Sequence, residues 1–179
     1  MMKPLLRVVT LLGLVVSAVC SAGIQDSSKP TPPQKLQFEM IPEKRSYSVG
    51  DEIKFNFRLR NTGDQDALAA RGFALNHLVW LEISDPDGKE VPWCGKVDGT
   101  TDSFVVLRPG ARIESTLVVS CDAHRDAGFV FDRPGRYKIA GYYRLPQPLE
   151  SLKRIAGNAM VTTARIRASP VMISVVAPR

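Results

Sequence analysis

The stretch FDRPGRYKIAGYY, residues 131–143, admits two readings. Its aromatic rings and cations suit a ligand surface. Its Pro134-Gly135 pair, followed by alternation, suits a chain that turns and then enters a buried strand. The alternation decides between them. Tyr137, Ile139, Gly141 and Tyr143 fall on one side, with Arg136, Lys138, Ala140 and Tyr142 on the other. The first set reads as facing a core. Arg136, Lys138 and Tyr142 then remain as the residues free to touch a partner.

The same rhythm runs outward in both directions. Upstream, Ile53, Phe55, Phe57 and Leu59 alternate with Lys54, Asn56, Arg58 and Arg60, one face for the core and one for water. Leu36, Phe38 and Met40 alternate with Gln37 and Glu39, and Pro42 stops that strand. Tyr47 to Asp51 reads as a turn. Ala67 to Leu75 reads as a loop, since Gly72 interrupts any helical turn there. Leu78 to Ser84 is a strand, and Asp85-Pro86-Asp87-Gly88 turns it into a hairpin with KEVPW, residues 89–93. Further strands are predicted over Phe104–Leu107 and Arg112–Cys121, joined by the Arg108-Pro109-Gly110 turn.

Downstream, one short helix interrupts the rhythm. Pro148 opens it, Glu150 suits its first turn, and Lys153 and Arg154 suit its last. Gly157 stops it, and Leu149, Leu152 and Ile155 share its face. Residues 159–169 and 170–176 close the chain as strands, with Val171, Ile173 and Val175 on one face. Eight or nine short strands with Gly, Pro and Asp turns between them predict an all-β antiparallel sandwich with one short helix in a late loop. No internal repeat is visible.

Residues 1–22 read as a secretory signal peptide. Lys3 and Arg7 precede an apolar run from Val8 to Val19, which is short for a membrane span, and small residues follow. A lipid-bearing Cys20 is the minor alternative, although Val19 and Ser17 depart from a lipobox. Residues 23–35 read as a flexible Ser/Pro linker, and 36–177 as the folded domain. Removal of residues 1–22 leaves 22 basic against 18 acidic residues, a net charge of +4. There is no run of five like charges, so no nucleic-acid arm is read. The expected location is periplasmic or extracellular, with no membrane span after cleavage.

Cys94 and Cys121 are then the two cysteines of the mature chain. An even pair in an exported protein reads as a disulfide, worth about 3.5 kcal/mol by loop-closure entropy. One pair cannot complete a structural zinc site, and it lacks the Cys-x-x-Cys spacing of redox pairs.

The remaining chemistry is sparse. His77 and His124 each border a loop and read as surface histidines. Met40, Met160 and Met172 sit at strand positions and read as core or sheet residues rather than copper ligands. Asp85, Asp87 and Glu90 lack the rest of a calcium loop, and a hairpin turn explains them. Asp122, Asp126 and Asp132 flank His124 in a polar loop. No Gly-x-Ser-x-Gly elbow exists. Neither a catalytic residue, a metal site nor a cofactor is predicted.

Three pieces carry a resemblance: Tyr47 to Asp51 before a strand ending in Asn61, Leu107 to Gly110 before another, and Pro134 to Tyr137 before a third. Their order resembles immunoglobulin-like domains of bacterial exported proteins. It is also similar in layout to the bacterial intracellular proteinase inhibitor family. The resemblance spans residues 36–176 and implies an immunoglobulin-like sandwich with Tyr137 as its tyrosine corner. Antibody-type Cys–Trp–Cys spacing is missing, and the helix near residues 148–156 is extra. Two functions stay open. One is a non-catalytic binding or scaffold module that meets a protein partner in the cell envelope. The other is a proteinase inhibitor presenting a loop pinned between Cys94 and Cys121.

Overall fold

The computed structural model describes residues 35–95, 103–121, 127–146 and 149–178. All of them belong to one compact unit, Pro32–Arg179. The predicted signal peptide, Cys20, the linker up to residue 34, Asp122, His124, Asp126 and Pro148 lie outside the described residues.

Among the described residues twelve strands and one helix follow in chain order: β1 (Leu36–Pro42), β2 (Ser46–Ser48), β3 (Lys54–Asn61), β4 (Ala67–Ala70), β5 (Val79–Ser84), β6 (Trp93–Cys94), β7 (Phe104–Leu107), β8 (Arg112–Val118), β9 (Gly128–Phe129), β10 (Gly135–Tyr143), α1 (Leu149–Ala156), β11 (Ile166–Arg167) and β12 (Val171–Val176). One sheet has the antiparallel order β1-β3-β8. The other centres on β10. It pairs with β5 along one edge and with β12 and β11 along the opposite edge, and β2 adds to β12 in parallel. Two small ladders, β4-β7 and β6-β9, close the sides. The molecule is an all-β sandwich with one short helix.

Alternation builds the core from both sheets. Phe38, Phe55, Phe57 and Leu59 of the first sheet are buried, as are Tyr137, Ile139, Tyr143 and Ile173 of the second. Phe38 lies 6.0 Å from Phe57, its neighbour on β3, and 5.9 Å from Tyr143 on the facing sheet. Gly141 permits the close approach at the centre. A Cβ there would stand 2.5 Å from the Met40 sulfur of the other sheet. Asn61 ends β3 fully buried. Its Nδ2 donates to the carbonyls of Gln65 (2.7 Å) and Leu107 (2.8 Å), and its Oδ1 accepts from Gly63 N–H (2.9 Å). It replaces the backbone bonds that the chain loses as it turns.

Five expectations need correction. Residues 67–75 do not form a plain loop, because Ala67–Ala70 is a strand paired with β7 and buried at every position. Every position of this strand is covered and α1 packs close to it, so both sides are buried and no alternation shows. Tyr47 to Asp51 is only partly a turn. Ser48 N–H bonds the Asp51 carboxylate (2.8 Å), but Ser46–Ser48 is first used as a parallel strand. The hairpin after Asp85–Gly88 is brief. Val91 N–H still bonds Ile83 C=O (2.8 Å), but Pro92 has no N–H to continue the ladder, and Trp93–Cys94 leaves to pair with Gly128–Phe129. The helix spans Leu149–Ala156, yet its buried residues are Leu152 and Ala156, an i,i+4 pair, while Ile155 is 53% exposed. Gly157, at φ +59°, stops it in the left-handed region that a side chain resists. Between residues 159 and 169 only Ile166–Arg167 forms a strand, though Met160 makes an isolated bridge to Ala67.

Candidate partner-binding face

The residues left outward by β10 define the candidate site. Register places their neighbours beside them. Tyr142 lies between Trp80 of β5 and Arg167 of β11, Ala140 lies beside Glu82, Lys138 lies between Ser84 and Met172, and Arg136 faces Ser174. Directly opposed residues point to the same side of a sheet. Arg136 and Lys138 are exposed, and neither joins an ion pair among the described residues. Met172 is 43% exposed beside them.

Tyr142 corrects the expectation of a free ring. It is on the outward side but only 8% exposed. The Trp80 ring stacks along it, 6.4 Å between centroids and 11° between planes. The Arg165 guanidinium sits 4.6 Å over its centre, with that of Arg167 at 5.9 Å. Such cation–ring contacts contribute about 0.5–1 kcal/mol when exposed. Arg167 also reaches Glu82 at 3.9 Å, a loose pair whose side chains are both more than half exposed. The outer face of this sheet therefore carries an aromatic ladder, four cations and one carboxylate. Trp80, Arg165 and Arg167 were not singled out from the sequence as part of this surface. The Arg-Ile-Arg alternation at 165–167 puts both cations on one side, but only the register shows that the side is Tyr142's.

The turn end of β10 is built differently. The Tyr137 hydroxyl donates to Arg133 C=O, four residues upstream, at 2.9 Å, and its ring meets Phe131 edge-on at 5.0 Å. Burial pushes the Tyr137 hydroxyl above its ordinary range, more than that hydrogen bond lowers it. The Arg133 guanidinium clasps Asp85 and Asp87 across the neighbouring turn, at 3.0 Å for Asp87. Asp85 accepts in addition from Asp87 N–H (2.9 Å) and Lys89 N–H (2.8 Å). Burial raises the Asp85 carboxyl, but the two amides and Arg133 together hold it below the ordinary range. These carboxylates are occupied by the turn itself. Among the described residues no three His, Cys, Asp or Glu side chains converge on a metal position. His77 is half-buried.

Cys94 and Cys121 are joined as a disulfide, with their Cα atoms 6.8 Å apart. It ties the end of β6 to the chain leaving β8. The loop between them that would face a protease, residues 96–102, lies outside the described residues.

No known protein family and no curated protein matches the chain. A solved β-glucosidase of Erythrobacter marinus aligns over 79% of this chain at 17% identity, with a TM-score of 0.38. The chain spans 15% of that enzyme's length. A likeness at that score bears on neither fold nor activity.

Proposed function

We propose that the chain is a non-catalytic binding or scaffold module, exported to the bacterial cell envelope, that holds a protein partner on the outer face of the β10 sheet. The observation that carries this reading is that Arg136 and Lys138 have no ion-pair partner among the described residues, beside an ordered ring ladder and the exposed Met172. Interfaces are enriched in aromatic residues, Met and Arg, and a rigid, preordered surface lowers the entropy cost of binding. Export is supported by the leader pattern of residues 1–22 and by the disulfide, a bond that persists in oxidising compartments. The immunoglobulin-like reading is supported by the strand order and by the Tyr137 corner bond. No observation favours the inhibitor reading.

The test is capture from envelope extract by the wild-type chain and by the R136E/K138E double variant. The proposal expects one specific protein with the wild type, and at least about a tenfold loss with the variant. Equal capture by both would remove this face from the account.

A further inference from the structure

The guanidiniums of this molecule are ordered in two ways. Arg58 is held between the carboxylates of Glu39 (3.2 Å) and Glu114 (3.0 Å), and Arg133 between those of Asp85 and Asp87. Both are neutralised by the groups that order them. Arg165 and Arg167 are ordered instead over the Tyr142 ring, at 4.6 and 5.9 Å. A ring attracts a cation through its quadrupole, but it supplies neither a full negative charge nor an oxygen acceptor. Among the described residues neither guanidinium makes a side-chain hydrogen bond, and the carboxylate in reach of Arg167 is Glu82 at 3.9 Å. The ring thus positions two guanidiniums and leaves their N–H donors unspent.

The other two cations extend this arrangement along the strand. Arg136, Lys138 and Tyr142 share the outward side of β10, and residues two apart on one side of a strand stand about 7 Å from each other. The row from Arg136 through Lys138 to the pair over Tyr142 is therefore about 20 Å long. Ala140 lies between its two cationic ends, and its short side chain lets a guest backbone come close to the sheet. Met172, beside Lys138, adds an apolar contact. Four cations against the one carboxylate of Glu82 repel one another, so an anionic guest gains at each end of the row. Tyr142 is covered by Trp80 and Arg165 to 8% exposure, so its ring is not open for a nucleic-acid base to stack on. The anion that suits this surface is a carboxylate.

We propose that the partner meets this face with an extended acidic segment laid along β10, its carboxylates taken by Arg136 and Lys138 at one end and by the guanidiniums of Arg165 and Arg167 at the other. The proposal rests on the reading of the β10 face as the partner surface, and it adds the chemistry of what that face receives. In an extended guest the side chains of one side recur at the same spacing of about 7 Å, so acidic residues at its first, third and seventh positions match the row. Arg165 and Arg167 are the specificity-determining pair. A planar guanidinium held in place meets both oxygens of a carboxylate. Arg136 and Lys138 have no ring contact to hold them, and they supply attraction and orientation. Arg58 and Arg133, already clamped by carboxylates, serve as internal controls.

The test is an NMR titration of the full chain, read at the arginine Nε–H signals and the Trp80 indole N–H. The probes are a capped peptide of roughly nine alternating Glu and Thr residues and its Lys/Thr counterpart. The Glu/Thr peptide shifts the signals of Arg165, Arg167 and Trp80 and leaves those of Arg58 and Arg133 in place. It binds at least about tenfold more weakly to R165Q/R167Q, and at least about tenfold more weakly in about 0.5 M salt. Both substituted residues are exposed, and an unchanged backbone amide spectrum shows that the variant is folded. The Lys/Thr peptide shifts nothing. No shift of Arg165 and Arg167 at millimolar Glu/Thr peptide overturns the proposal, as does undiminished binding to R165Q/R167Q. A single-stranded oligothymidylate of matched charge that binds at least about tenfold more tightly than the peptide overturns it too, because the face then reads phosphate. Any of these results, alongside capture that R136E/K138E loses, removes the acidic guest and keeps the partner face. Equal capture by wild type and R136E/K138E removes the face itself.

Discussion

The two outer faces of the sandwich are built on opposite principles. On the first sheet, Arg58 lies between Glu39 (3.2 Å) and Glu114 (3.0 Å), and Arg112 completes the row against Glu114 (2.6 Å). Gln37 adds a hydrogen bond to Glu39 at 2.9 Å. Each of these four charges has its partner within the row, while Arg60, outward beside Arg112, has none among the described residues. On the second sheet, Arg136 and Lys138 have no such partner among the described residues, and Arg165 and Arg167 are spent on a ring. A face whose charges are mostly paired with one another suits solvent. An ordered, cationic and aromatic face is the surface that the proposed partner would meet. The period-two alternation that makes both faces is the same, so the difference lies in which polar residues were placed outward.

The comparison presumes one core beneath both faces. Asn61→Ala tests that presumption with the largest expected effect. It removes three hydrogen bonds from a fully buried side chain and leaves the Leu107 and Gln65 carbonyls short of a donor, at a cost of about 2–4 kcal/mol. Denaturant unfolding followed from probes on each sheet should show one transition, shifted for both. Two separate transitions would break the picture of a single sandwich.

Trp80→Ala sharpens the description of the second face. Loss of the stacked ring should cost about 1.5 kcal/mol in chemical denaturation, and it should weaken the partner captured through Arg136 and Lys138. A variant as stable as the wild type would mean that the ladder does not order this face. Arg58→Ala makes the smallest change. The row on the first face is partly exposed, so its loss should cost less than about 1 kcal/mol and leave partner capture untouched. Weakened capture would erase the contrast between the faces.

Much of this was legible from residue order alone. The alternations over 53–60 and 137–143 are long enough to assign faces, and the inward sets are the buried ones. What failed had physical causes. Ala67–Ala70 is covered on both sides, so no period could appear. Ser46–Ser48 is too short to show one. The helix face was assigned through Ile155 by chemical type, but packing chose Ala156, one residue on, because the buried pair lies at i and i+4. Tyr142 shows the deeper limit. Alternation tells which side a residue is on, while cover depends on cross-strand neighbours. Trp80, Arg165 and Arg167 are distant in sequence and meet only through the register of three strands.

The most direct test of the contrast places a photo-crosslinking amino acid at Lys138 on one face and, separately, at Thr116 on the other. Both positions are exposed. After irradiation in envelope extract, the account predicts a discrete adduct from position 138 and none from position 116. An adduct of equal yield from both positions, or from 116 alone, would contradict it.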